Sequence, residues 1–179
     1  MNASWCGPDG LETCEVSVMV PLRLFLADDH EIVRFGLRNL LESQFGWSVV
    51  GEAGDGKEAV EKIFLLEPDI ALLDISMPSM NGLDAAREIL GRGCRTKILI
   101  LSVHDSQDII QQVLDSGAKG YVLKSDAMRD LIAAVDAVRS NKTFFTPKIA
   151  QAVFERQIKR MSDHAKNKPT LVRKKHAGT

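Results

Sequence analysis

The run Ile70-Ala71-Leu72-Leu73 is apolar at every position and ends directly in Asp74. A strand with one wet face alternates apolar and polar residues, so an unbroken run reads as a strand covered on both faces, as in a parallel sheet. The segment that follows, Ile75-Ser76-Met77-Pro78-Ser79-Met80-Asn81-Gly82, carries proline, asparagine and glycine and reads as a loop. An acid at the carboxyl end of a parallel strand stands where α/β sheets place their ligand sites. Taken alone, such an aspartate more often just starts a turn, so the decision rests on the rest of the chain.

The same rhythm of short apolar run and amphipathic stretch recurs on both sides. Leu22–Ala27 reads as a strand ending in Asp28-Asp29-His30, and Glu31–Gln44 as a helix with Val33, Leu37, Leu40 and Leu41 on one face. Trp47–Glu52 is a second strand, and a helix from about Lys57 to Glu67 follows the Gly54-Asp55-Gly56 turn and stops at Pro68. After the Asp74 strand come a helix from about Leu83 to Leu90, a strand Lys97–Leu101 ending at Ser102, and a helix from about Ser106 to Asp115. A short strand Gly120–Leu123 ends at Lys124 and leads to a last helix, Ala127–Val138. Strands alternating with helices imply right-handed crossovers and a parallel sheet with helices on both faces.

Composition narrows the class further. The chain has 179 residues, 45% of them hydrophobic and 26% charged, enough apolar material for a packed core. A net charge of -1 gives no general pull toward nucleic acid or membrane surfaces, and no apolar run approaches the ~20 residues of a membrane span. Cys6, Cys14 and Cys94 lack metal-ligand spacing and cannot all pair, which fits a reduced, cytoplasmic setting. Residues 1–20 lack periodicity and signal-peptide character and read as a disordered leader; translation starting at Met1 or at Met19 fits equally well.

In a parallel sheet the strand ends share one edge. Asp28 and Asp29, then Asp74, Ser102 and Lys124, therefore converge although they are far apart in sequence. Crowded carboxylates disfavour joint ionisation, and a divalent cation relieves that repulsion. Mg²⁺ suits such a set, because it takes oxygen ligands, keeps waters and needs only one or two carboxylates plus phosphate. Cation, ammonium and hydroxyl together can neutralise a phosphoryl group in transfer, with a carboxylate such as Asp74 as nucleophile. Singly, each residue is more often a turn, a cap or a surface charge; it is their joint position that carries the argument.

Leu26-Ala27-Asp28-Asp29-His30, Leu73-Asp74-Ile75-Ser76-Met77-Pro78-Ser79-Met80-Asn81-Gly82, Leu101-Ser102-Val103-His104 and Gly120-Tyr121-Val122-Leu123-Lys124-Ser125 resemble the receiver domain of two-component response regulators, in its NarL-type branch. The resemblance covers about residues 22–141. It implies a flavodoxin-like, doubly wound five-stranded parallel sheet of order 2-1-3-4-5, the order the receiver fold is known for. It also implies phosphorylation of Asp74 by a sensor histidine kinase, and a domain that promotes its own phosphorylation and dephosphorylation without being an enzyme in the usual sense. Asp29, Asp74 and the backbone carbonyl of Ser76 would hold Mg²⁺, Asp28 acting mainly through a bound water. Ser102 and Lys124 would bind phosphoryl oxygens, and Tyr121 would be the switch aromatic that turns inward when Ser102 is drawn to the phosphate. Two departures stand out: Ser125 replaces a frequent proline, and Val103 a frequent Ala or Gly.

The receiver is expected over residues 21–141, a helical extension over 142–162 and a basic, disordered tail over 163–179. Thr146 and Pro147 are good helix-start residues, and Ile149, Val153, Phe154, Ile158 and Met161 give the extension an apolar stripe, suited to packing on the receiver or on a second copy. NarL-type regulators usually continue into a helix-turn-helix DNA-binding domain. The residues after Pro147 are too few for one and hold no recognition helix, so this chain does not itself support DNA binding. The expected function is a receiver acting through a downstream protein of unstated identity. The alternative is the receiver part of a NarL-type transcription regulator. An aspartyl-nucleophile phosphatase is disfavoured, because Ser76 stands where such enzymes place a second aspartate.

Overall fold

The structure, a computed structural model, describes residues 20–104 and 106–145. The expected leader, the sixth helix and the basic tail lie outside the described residues, apart from Val20 and the segment up to Phe145. In order the elements are β1 (Leu22–Ala27), α1 (Glu31–Glu42), β2 (Trp47–Ala53), α2 (Gly56–Leu66), β3 (Ile70–Asp74), α3 (Gly82–Gly91), β4 (Lys97–Ser102), α4 (Gln107–Asp115), β5 (Gly120–Leu123), α5 (Ala127–Arg139) and β6 (Phe144–Phe145). The sheet runs β2-β1-β3-β4-β5-β6, parallel throughout.

The first five strands take the expected order. The sixth was not expected. It is two residues long, and the Phe144 N–H donates to the Lys119 carbonyl at 3.0 Å, just ahead of its register with Gly120. Two adjacent aromatics favour an extended, half-buried surface, but the partner that makes them a strand lies 25 positions back, where local pattern cannot reveal it.

The pleat of β3 feeds two cores. Ala71 and Leu73 pack with Val60, Ile63, Leu83, Ile89, Ile110 and Val113, on the side of α2, α3 and α4. Ile70 and Leu72 pack with Leu37, Leu41, Leu131, Val135 and Val138, on the side of α1 and α5. All four β3 residues have no exposed surface, and burial of a Leu or Ile side chain contributes about 1.5–3 kcal/mol. That two-sided cover is why β3 needs no polar residue before Asp74.

Local chemistry sets the helix starts. The Asp55 carboxylate accepts from the Lys57 and Glu58 amides and starts α2 at Gly56, one residue before the expected start. The Asn81 side chain caps α3 through the Asp84 amide. Gly82 is tied to the site for a different reason: a Cβ there would lie 2.1 Å from the Asp74 carbonyl oxygen. Only glycine lets the loop after Asp74 fold back this closely.

Candidate functional site

The register brings the strand-end residues together. Ala27 lies beside Leu73, so the next residue outward, Asp28, comes level with Asp74. Asp74 lies beside Leu101 and Ser102 beside Leu123, which carries Lys124 to the same edge. The Lys124 ammonium is 2.7 Å from Asp28 Oδ2 and 2.7 Å from Asp74 Oδ2. Toward Asp74 it donates a hydrogen bond. Toward Asp28 the charges face each other without hydrogen-bond geometry, so Asp28 Oδ2 stays buried without a hydrogen-bond partner.

Both acids are sealed in, at 1% exposure each. Burial pushes the Asp74 carboxyl above the usual carboxylate range, and nearby Asp28 adds to this. The Lys124 ammonium and a hydrogen bond from the Ser76 backbone oppose the shift. The two acids in turn hold Lys124 above the usual lysine value despite its own burial. A site with two buried carboxylates and one ammonium is one charge short of balance, and further positive charge is favoured there.

Asp29 faces solvent beside this pair, with its carboxylate 2.7 Å from His30 Nδ1. One ligand atom from each of Asp28, Asp29, His30 and Asp74 lies within 4.8 Å of the others, a spacing one cation can span. Two buried carboxylates that share one ammonium, in an oxygen-rich set, fit Mg²⁺. Sequence reasoning missed His30; its only signal was its place directly after two acids. Arg34 holds the acidic turn from behind, its guanidinium donating to the Asp28 carbonyl at 2.6 Å and to Glu52 at 2.8 Å.

Ser102 is buried, and its Oγ accepts from the His104 amide at 3.0 Å. Tyr121 is fully buried and its hydroxyl donates to the His104 carbonyl. The two expected switch residues therefore meet on one residue, His104, Ser102 at its amide and Tyr121 at its carbonyl, which the sequence did not single out. Tyr121 already occupies the inward position. Val103, next to Ser102 in the chain, is 64% exposed. No cis peptide is present among the described residues, so the bond between Lys124 and Ser125 is trans.

The family profile described as response regulator receiver domain matches residues 24–136. The chain is 37% identical over 137 residues to the response regulator UvrY of Escherichia coli (strain K12), covering 76% of this chain and 63% of that protein. It is similar to the crystal structure of a LuxR-family two-component response regulator from Aurantimonas sp. SI85-9A1, with a TM-score of 0.73, 35% identity and coverage of 77% and 99% of the two chains. It is also similar to the signal receiver domain of the response regulator NarL from Mycobacterium tuberculosis, with a TM-score of 0.66, 35% identity and coverage of 68% and 98%. The chain spans 54–63% of the length of the relatives it matches. No helix among the described residues is long and apolar enough to cross a membrane.

Proposed function

Because the chain belongs to the response regulator receiver family, in its NarL/LuxR-type branch, we propose that Asp74 takes a phosphoryl group from the phosphohistidine of a sensor kinase. An Asp74 oxygen forms the new O–P bond while the P–N bond to the kinase imidazole breaks, and the freed nitrogen takes up a proton. The observation that carries this reading is the Lys124 ammonium, 2.7 Å from both Asp74 and Asp28. An ammonium this close to Asp74 supplies positive charge for a transferring phosphoryl group.

Each residue has a task in this reading. Asp28, Asp29, Asp74 and the Ser76 carbonyl hold Mg²⁺, with Asp28 acting mainly through water. When bound, the cation supplies positive charge that offsets the crowded acids and the phosphoryl oxygens. Ser102 donates its hydroxyl to a phosphoryl oxygen and gives up its bond with the His104 amide. The His104 backbone then shifts, and the Tyr121 hydroxyl held by its carbonyl shifts with it. Since Tyr121 is already inward, phosphorylation deepens an existing population instead of creating a new one. The same groups promote both gain and loss of the phosphoryl group. The receiver spans residues 21–141, with Phe144 and Phe145 completing its sheet, and works in the cytoplasm beside its kinase.

Incubation with acetyl phosphate and Mg²⁺, read by intact mass, tests the proposal. Wild type gains one phosphate, and Asp74→Asn gains none. A wild type that stays unmodified, or a variant that is modified equally, removes the reading.

A second reading concerns output. The chain spans only 63% of UvrY, which favours a transcription regulator whose DNA-binding part lies beyond the matched region. Gel shifts with and without a phosphodonor separate the two. Sequence preference beyond a salt-sensitive background supports a DNA output, and its absence from a protein that carries the continuation beyond the matched region supports contact with another protein.

A further inference from the structure

The imidazole of His30 belongs to the acidic turn, not to the helix it precedes. His30 is the N-cap of α1, yet its side chain makes no capping hydrogen bond. Its backbone amide instead donates to Asp28 Oδ1 at 2.9 Å, which fixes the turn. The ring folds over the acids, with Nδ1 2.7 Å from Asp29 Oδ1 and 3.5 Å from Asp28 Oδ1. The side chain is 65% exposed, so the ring stands between the acids and solvent without being buried among them.

Asp28 provides an independent sign that the cluster is built for a ligand. Its Oδ2 is buried and faces the Lys124 ammonium at 2.7 Å without hydrogen-bond geometry, and that one ammonium is shared with the Asp74 carboxylate, so further positive charge is favoured there. Four donors within 4.8 Å of one another can converge on one ion, since metal–ligand distances run about 2.0–2.6 Å.

We propose that His30 Nδ1 is a direct ligand of the cation held by Asp28, Asp29 and Asp74, which biases the site toward a divalent transition ion over Mg²⁺. The proposal rests on the phospho-receiver reading for the acids and adds the nitrogen. Imidazole is a poor partner for Mg²⁺, a hard ion that keeps oxygen ligands and waters. It is a good partner for the later first-row ions, whose affinity rises from Mn²⁺ to Ni²⁺. To ligate, Nδ1 presents its lone pair to the ion and the ring carries its proton on exposed Nε2.

The test is calorimetric titration of the full chain with MgCl₂, MnCl₂ and NiCl₂, for wild type and His30→Ala. The expected result is a loss of roughly tenfold in Ni²⁺ affinity and a smaller loss for Mn²⁺, with Mg²⁺ affinity unchanged. Electron spin echo spectra of the Mn²⁺-loaded chain are expected to carry imidazole nitrogen coupling in wild type and to lose it in His30→Ala. Equal losses for all three ions, or no nitrogen coupling in a chain that binds Mn²⁺, overturns the assignment of His30. Absence of binding by every ion overturns the acid site itself, so the two failures are distinguishable.

Discussion

At the amino ends of the strands, the polar side chains are tied to backbone. The Arg23 guanidinium donates to the carbonyls of Leu66 and Glu67 at 2.6 and 2.9 Å. Thr96 Oγ1 donates to the Pro68 carbonyl at 2.7 Å, and Lys97 Nζ to the carbonyls of Val138 and Arg139 at 3.1 and 2.9 Å. The Arg23 and Lys97 bonds close the last turns of α2 and α5, where helices leave carbonyls unpaired, and the Thr96 bond ties down the loop after α2. At the carboxyl ends of the same strands, the acids face one another and a single ammonium, and one buried oxygen is left without a hydrogen bond. One edge spends its polar groups on holding the fold. The other holds like charges together at a cost to stability, and that cost is what makes it receptive to a cation and a phosphoryl group.

Substitutions at the two edges should therefore differ in kind. The largest effect is expected for Lys124→Met, which leaves Asp28 and Asp74 buried without their counter-ion. A loss of about 3 kcal/mol is expected in urea unfolding without divalent cation, together with loss of phosphorylation. A loss no larger than that of a surface lysine would mean the acids are not truly desolvated.

Asp74→Asn should act in the opposite direction on stability. Folding holds the Asp74 carboxyl above its ordinary value, so the folded state binds its proton more tightly than the unfolded chain. Wild-type stability then falls as pH rises from the ordinary carboxylate range through the raised native value. The variant lacks this component. It is expected to gain on wild type over that window, keep the gain at neutral pH, and lose it below the ordinary range. A difference that stays constant with pH would contradict the burial argument.

At the quiet edge, Thr96→Val removes one buried hydrogen bond. The expectation is a loss of about 1 kcal/mol with phosphorylation by acetyl phosphate unchanged. The smallest effect on stability is expected for Val103→Ala, since Val103 is exposed. If its bulk hinders water from reaching the acyl phosphate, the variant loses its phosphate a few-fold faster. An unchanged rate removes that role.

Much of this was legible in the sequence because both signals are local. An apolar run such as Ile70–Leu73 announces its two-sided burial, and the residue at which it stops is the one delivered to the edge. Parallel topology then does the rest, so Asp28, Asp74, Ser102 and Lys124 could be gathered before any coordinates. What escaped depends on where side chains and peptides point within turns. The ring of His30 folding over the acids and the His104 backbone joining Ser102 to Tyr121 leave no periodic trace. Nor does β6, whose hydrogen-bond partner is remote.

Unfolding of the chain with and without Mg²⁺, for wild type, Asp74→Asn and Thr96→Val, tests the contrast most directly. A cation that binds only the folded state adds stability in proportion to the logarithm of its concentration over its Kd. The wild type and Thr96→Val should gain equally from the ion, and Asp74→Asn little or nothing. Equal stabilisation of all three proteins, or of none, would contradict a carboxyl edge built around a shared cation.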